Sequence, residues 1–303
     1  MAVKKKNVSI VKQAKPLDHL VLPVTNLEIA RERLSQLGFS VAPDARHPFG
    51  TENCCVFFKD DTYLEPLAIG HRETCEAAAL KGNEFVRRDQ AFRFRKGHEG
   101  FSGLVFGTQD AEKDHKHFVK EGISAGKMLK FMRDVDDGNG NISKAGFKLA
   151  FASDLRSPDS FFFTCERVNP PVVDKAKLQK HKNGALGIKE VILSEPVPSD
   201  FQYILQEVIN QREVNSHSFG MDIQTANANV GVYNAAGLNA YFGIKKGCHS
   251  RGLRFRGYVI GVRNLEKCEA FLKKSKIKTK MVANRLIVEP ALGQSCLIAF
   301  EKA

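Results

Sequence analysis

Two residues in the first quarter of the chain pair types that metal and proton chemistry use. His19 stands in Leu17-Asp18-His19-Leu20-Val21-Leu22, and Glu65 in Tyr63-Leu64-Glu65-Pro66-Leu67. Both segments read as apolar strands. Alternation puts His19 on one face with Leu17 and Val21, and Leu20 and Leu22 on the other. A carboxylate buried in such a strand costs roughly several kcal/mol unless it is paired or coordinated, so Glu65 needs a cation or a strong donor. Imidazole with carboxylate suits Zn²⁺, Fe²⁺, Mn²⁺, Co²⁺ or Ni²⁺ without choosing among them. A plain His–Glu hydrogen bond, or either side chain reaching solvent at a strand end, would satisfy the same pair.

Other polar groups are candidates to meet a substrate. His47 lies in a turn-forming stretch with a substrate-facing role open to it. Asn53 could orient a substrate carbonyl or cap the Gly50-Thr51 turn. Arg133, between Met132 and Asp134, could hold an anionic group with both arms of its guanidinium, or form a surface salt bridge. Phe163, in the run Phe161–Phe163, could supply an aromatic wall. His115 and His117 lie in a helix rich in lysine and acid and read as exposed.

The elements that must position these residues recur four times, each as an apolar strand, a polar cap, an amphipathic helix and further short strands. In the first, Thr25 or Asn26 caps a helix whose Leu27, Ala30, Leu34 and Leu37 share a face, and Gly38 ends it. Strands are expected at Phe39–Ala42, Cys54–Lys59 and Tyr63–Ile69. The second opens at Leu104-Val105-Phe106, with Asp110 as cap, a helix ending at Gly122, and strands at Gly146–Ala152 and Phe161–Glu166. The cluster Asp137-Gly138-Asn139-Gly140 reads as a turn. The third opens at Val191-Ile192-Leu193; Ser199 and Gln202 have capping-box spacing ahead of the stripe Phe201, Ile204, Leu205 and Val208. The fourth opens at Tyr258-Val259-Ile260, with Asn264 as cap, and closes on strands at Arg285–Val288 and Ser295–Phe300.

One βαβββ unit exposes an apolar sheet face that it cannot bury alone, and two such units side by side curve into a half-open barrel around a cavity. The expected fold is therefore α+β, four βαβββ modules paired into two half-open barrels. Residues 1–15 form a basic arm carrying Lys4, Lys5, Lys6, Lys12 and Lys15; residues 16–168 form domain 1. Residues 169–186, with Pro170-Pro171 and Lys175, Lys177, Lys180 and Lys182, are a linker, and residues 187–303 form domain 2. The length allows each domain a core of its own.

At this point the chain resembles a known family. Leu17-Asp18-His19-Leu20-Val21-Leu22-Pro23-Val24, Arg46-His47-Pro48-Phe49-Gly50-Thr51-Glu52-Asn53 and Tyr63-Leu64-Glu65-Pro66-Leu67 resemble the opening of glyoxalase-like domain proteins of the vicinal-oxygen-chelate superfamily. Gly146–Ala152, Phe162–Glu166, Asn183–Ile188 and Leu297–Glu301 look like the same group. The resemblance implies that the first and last strands of each module line the cavity and that His19 and Glu65 ligate a divalent metal. It implies a third ligand at the end of the second module, where Glu166 shares a face with Phe162 and Thr164. Gly103 stands where that module's first ligand would be. Glu190 and Gly257 hold the corresponding places in domain 2, whose site reads as degenerate.

The function so implied is a glyoxalase-like, metal-dependent lyase or isomerase acting on a small oxygenated molecule through enediolate-type chemistry. Glu166 is the first choice for moving the proton and Glu65 the second. The alternative is a metal-free protein that sequesters a small molecule, as bleomycin-resistance relatives do.

Composition narrows the partners. Hydrophobic residues make up 43% and charged residues 26% of 303, which excludes a disordered chain. No apolar run approaches the ~20 residues that span a bilayer, and no apolar core follows the basic arm as in a secretory signal. Seven cysteines without a C-x-x-C pair fit a reducing, cytoplasmic setting, where the sequons at Asn7 and Asn141 would go unused. The net charge of +12 raises nucleic acid as a partner, and Arg87, Arg88, Arg93, Arg95 and Lys96 interleave with Phe92 and Phe94. No nucleic-acid motif accompanies them, so the expected partner is a small molecule, with the protein a monomer or homodimer.

Overall fold

A computed structural model describes residues 13–136, 142–170, 175–245 and 250–303. The arm residues Met1 to Lys12, the Asp137–Gly140 turn, both sequon asparagines, Pro171 and Cys248 lie outside the described residues.

The chain runs through β1 (Leu17–Pro23), α1 (Leu27–Gln36), β2 (Ala45–Arg46), β3 (Thr51–Asn53), β4 (Val56–Phe57), β5 (Tyr63–Ile69), α2 (Arg72–Leu80) and α3 (Glu84–Lys96). Next come β6 (Gly103–Gly107), α4 (Ala111–Lys120), β7 (Leu129–Asp136), β8 (Ile142–Ala152) and β9 (Phe161–Val168). The second half has β10 (Ala185–Ser194), α5 (Gln202–Ile209), β11 (Asn215–His217), β12 (Gly220–Gln224), β13 (Asn229–Tyr233) and α6 (Ala235–Phe242). It ends with β14 (Arg254–Val262), α7 (Leu265–Lys274), β15 (Lys280–Val282), β16 (Arg285–Val288) and β17 (Leu297–Lys302). The strands form two sheets, ordered β2-β3-β5-β1-β6-β9-β8-β7, with β4 beside β5, and β11-β12-β13-β10-β14-β17-β16-β15. In each module the first strand lies parallel to the last, and the two modules of a sheet join through their antiparallel first strands, β1 to β6 and β10 to β14. This is the α+β architecture of four βαβββ modules in two half-barrels.

Local chemistry sets the helix starts. The side chains of Asn26, Asp110 and Asn264 each accept from the backbone N–H three residues on, satisfying one of the donors that a helix N-terminus leaves free. Two local readings differ. Phe39–Ala42 is irregular and the strands of that stretch are the short β2, β3 and β4. Ser199 makes no capping bond, because Pro198–Phe201 forms a 3₁₀ turn ahead of α5.

Each sheet has two apolar faces. One carries Leu20, Leu22, Leu104, Phe106 and Phe162 in the first sheet and Val191, Leu193, Ile260 and Phe300 in the second; all belong to a single continuous core. Leu34, Phe118, Leu205 and Leu272, from α1, α4, α5 and α7, fill the same core. The two halves thus meet on their helix-covered faces and share one interior, where the length alone suggested two. The opposite, concave faces have separate smaller cores. Val21, Val105, Phe151 and Phe163 are closed over by Phe85 and Val86 of α3, and Ile192, Val259 and Ala299 by Leu238 and Phe242 of α6. These covering helices lie between modules and have no place in the four-module reading.

Candidate active site

The concave face of the first sheet leaves a cavity lined by His19, His47, Tyr63, Glu65, Arg133 and Phe163 among others, about 390 Å³ including the solvent at its mouth. A register shift in the β1–β6 ladder, between Leu17 and His19, aims the histidine into it. Such a bulge changes which side chains share a face. Leu17 therefore joins the helix-side core, contrary to simple alternation, while His19 and Val21 face the cavity. The bulge also sets Asp18 beside the imidazole: His19 Nδ1 lies 2.6 Å from Asp18 Oδ1. Asp18 in turn accepts from both arms of Arg167, at 2.5 and 2.7 Å. The other ring nitrogen, Nε2, is 3.4 Å from Glu65 Oε2, and the ring stacks on Tyr63 at 4.3 Å.

Glu65 is held from two more sides. Asn53 Nδ2 donates to Oε1 at 2.7 Å, and His47 Nε2 stands 3.7 Å from the same oxygen. His47 shares a 2.9 Å hydrogen bond with Thr51 Oγ1 and stacks on Phe49. The electrostatics follow from these contacts. Burial works against a charged His19, but the bond to Asp18 and the Glu65 carboxylate outweigh it and raise its pKa. Burial would also raise Glu65, yet the His19 bond and the neighbouring His47 and Arg133 lower it. Burial dominates at His47, which is pushed down to about 4 and stays a neutral acceptor.

The remaining expected residues divide. Phe163 meets His19 edge-on at 5.8 Å, and Arg133 reaches the cavity from β7. Glu166 does not join them. It does share a face with Phe162 and Thr164, but that face packs on helices, and its carboxylate accepts from Ala111 N at the start of α4 and pairs with Lys148 at 3.1 Å. The cavity side of β9 belongs to Phe163 and Cys165. Sequence reasoning assigned no role to Asp18, Tyr63, Arg167, Phe85 or Phe131. Asp18 was legible as a carboxylate beside the histidine; the others needed the tertiary structure.

Register explains why the site is one-sided. Asn26 and Asp110, the caps of α1 and α4, each stand seven residues beyond His19 and Gly103, so these two positions correspond. His19 pairs with Tyr63, two before Glu65, and Gly103 pairs with Phe161, two before Phe163. The counterparts of His19 and Glu65 are thus a glycine and a phenylalanine. In the second half the four places hold Glu190, Gly231, Gly257 and Ala299. Glu190 is satisfied there by Tyr233 Oη at 2.5 Å and Arg285 Nη2 at 2.7 Å. The basic segment on α3 is likewise engaged within the protein: Arg88 with Glu84, Arg93 with Asp89, and Arg95 and Lys96 with Asp159. His117, expected to be exposed, is half-buried and donates to Glu207 at 2.7 Å across the two halves. The six described cysteines are buried free thiols.

The family is decided by a match over most of the chain: a family model described as a glyoxalase-like domain covers residues 17–209. The chain belongs to the glyoxalase-like domain family. Comparison with curated proteins gives no match. Among solved structures, this glyoxalase-like chain is similar to a hypothetical protein from Staphylococcus aureus, with TM-score 0.64 and 13% identity over 95% of this chain and 99% of the other. It is similar to a mutant 4-hydroxymandelate synthase from Streptomyces coelicolor, with TM-score 0.58 and 10% identity over 95% and 92%. A Mn(II)-bound glyoxalase from Novosphingobium aromaticivorans matches with TM-score 0.55 and 6% identity over 95% and 82%. At such identities the shared property is the fold. No helix among the described residues is long and apolar enough to cross a membrane.

Proposed function

We propose that the first-half cavity is a glyoxalase-like lyase or isomerase site for a small oxygenated molecule, with a divalent metal held by His19 and Glu65. The observation that carries this reading is the buried row Asp18–His19–Glu65 opening on the cavity. A metal-binding imidazole ordinarily gives its second N–H to a carboxylate, which fixes the tautomer and turns the other nitrogen outward. Asp18, itself held by Arg167, is placed for that task. Glu65 is a buried carboxylate whose nearest partner besides the Asn53 amide is that same imidazole, so a dication between them answers its need for positive charge. Among the described residues no three His, Cys, Asp or Glu side chains are grouped to hold a metal. His19 and Glu65 would therefore hold the ion alone, one fewer than the usual three protein ligands, with the remaining positions left to water and substrate.

Bound there, the ion would supply Lewis-acid polarisation of a substrate oxygen. The chain's own residues do the rest. With Glu166 turned to α4, proton transfer falls to Glu65 and to His47, whose depressed pKa leaves it free to accept. Asn53 fixes the Glu65 carboxylate, and Phe163 with Phe85 of the covering helix keeps water from the reacting atoms.

The test is metal content by mass spectrometry on full-length protein purified without chelator or histidine tag, beside His19→Ala and Glu65→Ala. About one transition metal per chain, lost in both variants, is the expected result, with manganese among the ions offered. A wild type that stays empty after exposure to Zn²⁺, Mn²⁺, Fe²⁺, Co²⁺ and Ni²⁺ would sink the metal reading. Metal-free binding of a small molecule would then come first; the observation favouring it is that Gly103 and Phe163 occupy the places of a second ligand pair.

A further inference from the structure

The reaction proposed above leaves the arginine of the cavity unused. Arg133 sits on β7, at the far edge of the sheet from β2, and the sheet's curvature brings its guanidinium to the cavity that His19 and Glu65 line. Its Nε and Nη1 are buried and have no hydrogen-bond partner among the described residues. Phe147 lies beside the guanidinium, 5.3 Å from its centre. Two other buried or part-buried arginines are fully engaged: Arg93 bonds Asp89 and three backbone carbonyls, and Arg167 clasps Asp18. Arg133 has no such acid, because Glu65 is committed to Asn53 and His19.

Two buried nitrogens of a cation left without a partner cost free energy, and their natural complement is an anion that enters the cavity. Either buried N–H can donate a charge-assisted hydrogen bond to a carboxylate oxygen. The Glu65 carboxylate that lines the same cavity favours a monoanion, because it would repel a second negative charge. The lining next to Arg133 is aromatic, with Phe131 stacked on Phe147 at 5.1 Å and edge-on to Phe49 at 5.2 Å. The cavity is open to solvent at its mouth, so the apolar part of such a ligand can extend outward along these rings.

We infer that the substrate is a small aromatic or otherwise planar, apolar monocarboxylate, its carboxylate on the Arg133 guanidinium. The position of its reactive carbon, facing His19 and Glu65, rests on the function proposed above; recognition of the carboxylate does not.

Calorimetric titration of the full chain with benzoate, phenylacetate and the neutral benzamide tests this, in wild type, Arg133→Met, Arg133→Lys and His19→Ala. The carboxylates should bind about tenfold or more tighter than benzamide. Arg133→Met should erase that preference, Arg133→Lys should retain part of it, and His19→Ala should keep it. Unchanged thermal unfolding of Arg133→Met separates lost recognition from lost fold. Equal binding of benzoate and benzamide, no binding of either carboxylate, or an unaffected Arg133→Met would overturn the inference. A chain that takes no metal yet discriminates benzoate through Arg133 would defeat the metal site and leave this inference standing. A metal-loaded chain without discrimination would do the reverse.

Discussion

Glu166 and Glu65 are both strand glutamates near the end of a module, and their fates differ by one face. Glu65 opens on the cavity; Glu166 caps α4 and pairs with Lys148. Exchanging Glu166 for Gln should leave metal content and carboxylate binding unchanged. It should cost about 1 kcal/mol by weakening the start of α4, read as a shifted urea midpoint. Lost metal binding in Glu166→Gln would restore it to the site. Alternation along β9 is legible in the sequence, since period two follows from the pleat. Which face meets a helix is not, because that depends on the neighbouring elements. His19 shows the same limit. Its residue type and strand are plain from the sequence, while the bulge that separates it from Leu17 arises from pairing with β6.

The covering helices show what the elements add. Four repeats account for every strand-first module, yet α2, α3 and α6 lie outside the repeat and close the concave faces. The segment Arg87–Lys96 reads in sequence as a basic stretch with interleaved aromatics, because a list of charges does not reveal their partners. Folded, Arg93 is its anchor: it binds Asp89 at 2.8 Å and the carbonyls of Val24, Leu67 and His98. Arg93→Ala would strand a buried Asp89 and three carbonyls, and should destabilise the protein by about 3–5 kcal/mol. Hydrogen exchange should show α3 opening before β1. Equal loss of protection in both elements would mean that α3 is part of the main cooperative unit instead of a cover over the cavity.

At the scale of the whole molecule, the two halves share a core, with Phe39 stacked on Phe300 at 6.1 Å and Phe101 on Phe255 at 4.5 Å. Phe300→Ala should cost about 3–5 kcal/mol and lower exchange protection in both sheets together; loss confined to β17 would make the halves independent. His181, between the sheets in sequence, pins that segment to the first half. Its Nε2 donates to Phe57 O and its Nδ1 accepts from Ser40 N, both at 3.0 Å, an arrangement that needs the neutral ring. Burial accordingly lowers its pKa. A depressed folded pKa gives stability that is present above the unfolded value of about 6.5 and lost as pH falls toward the folded one. Between pH 7.5 and pH 5.5, wild type should therefore lose more stability in urea than His181→Gln; equal losses would remove His181 as a source of acid sensitivity.

The sequence by itself determined the repeated βαβββ modules, the helix caps at Thr25 or Asn26, at Asp110 and at Asn264, and the presence of His19 and Glu65 in apolar strands. These follow from local rules: periodicity, capping chemistry and the cost of burying a carboxylate in an apolar strand. Tertiary structure decided the rest. It turned Glu166 away, brought Arg133 and His47 to the same cavity, set α3 over it, and fused the helix-side cores of the two halves. Each of these is a matter of which surfaces meet across strands and helices far apart in sequence, and side-chain pattern within one element carries no record of its distant neighbour.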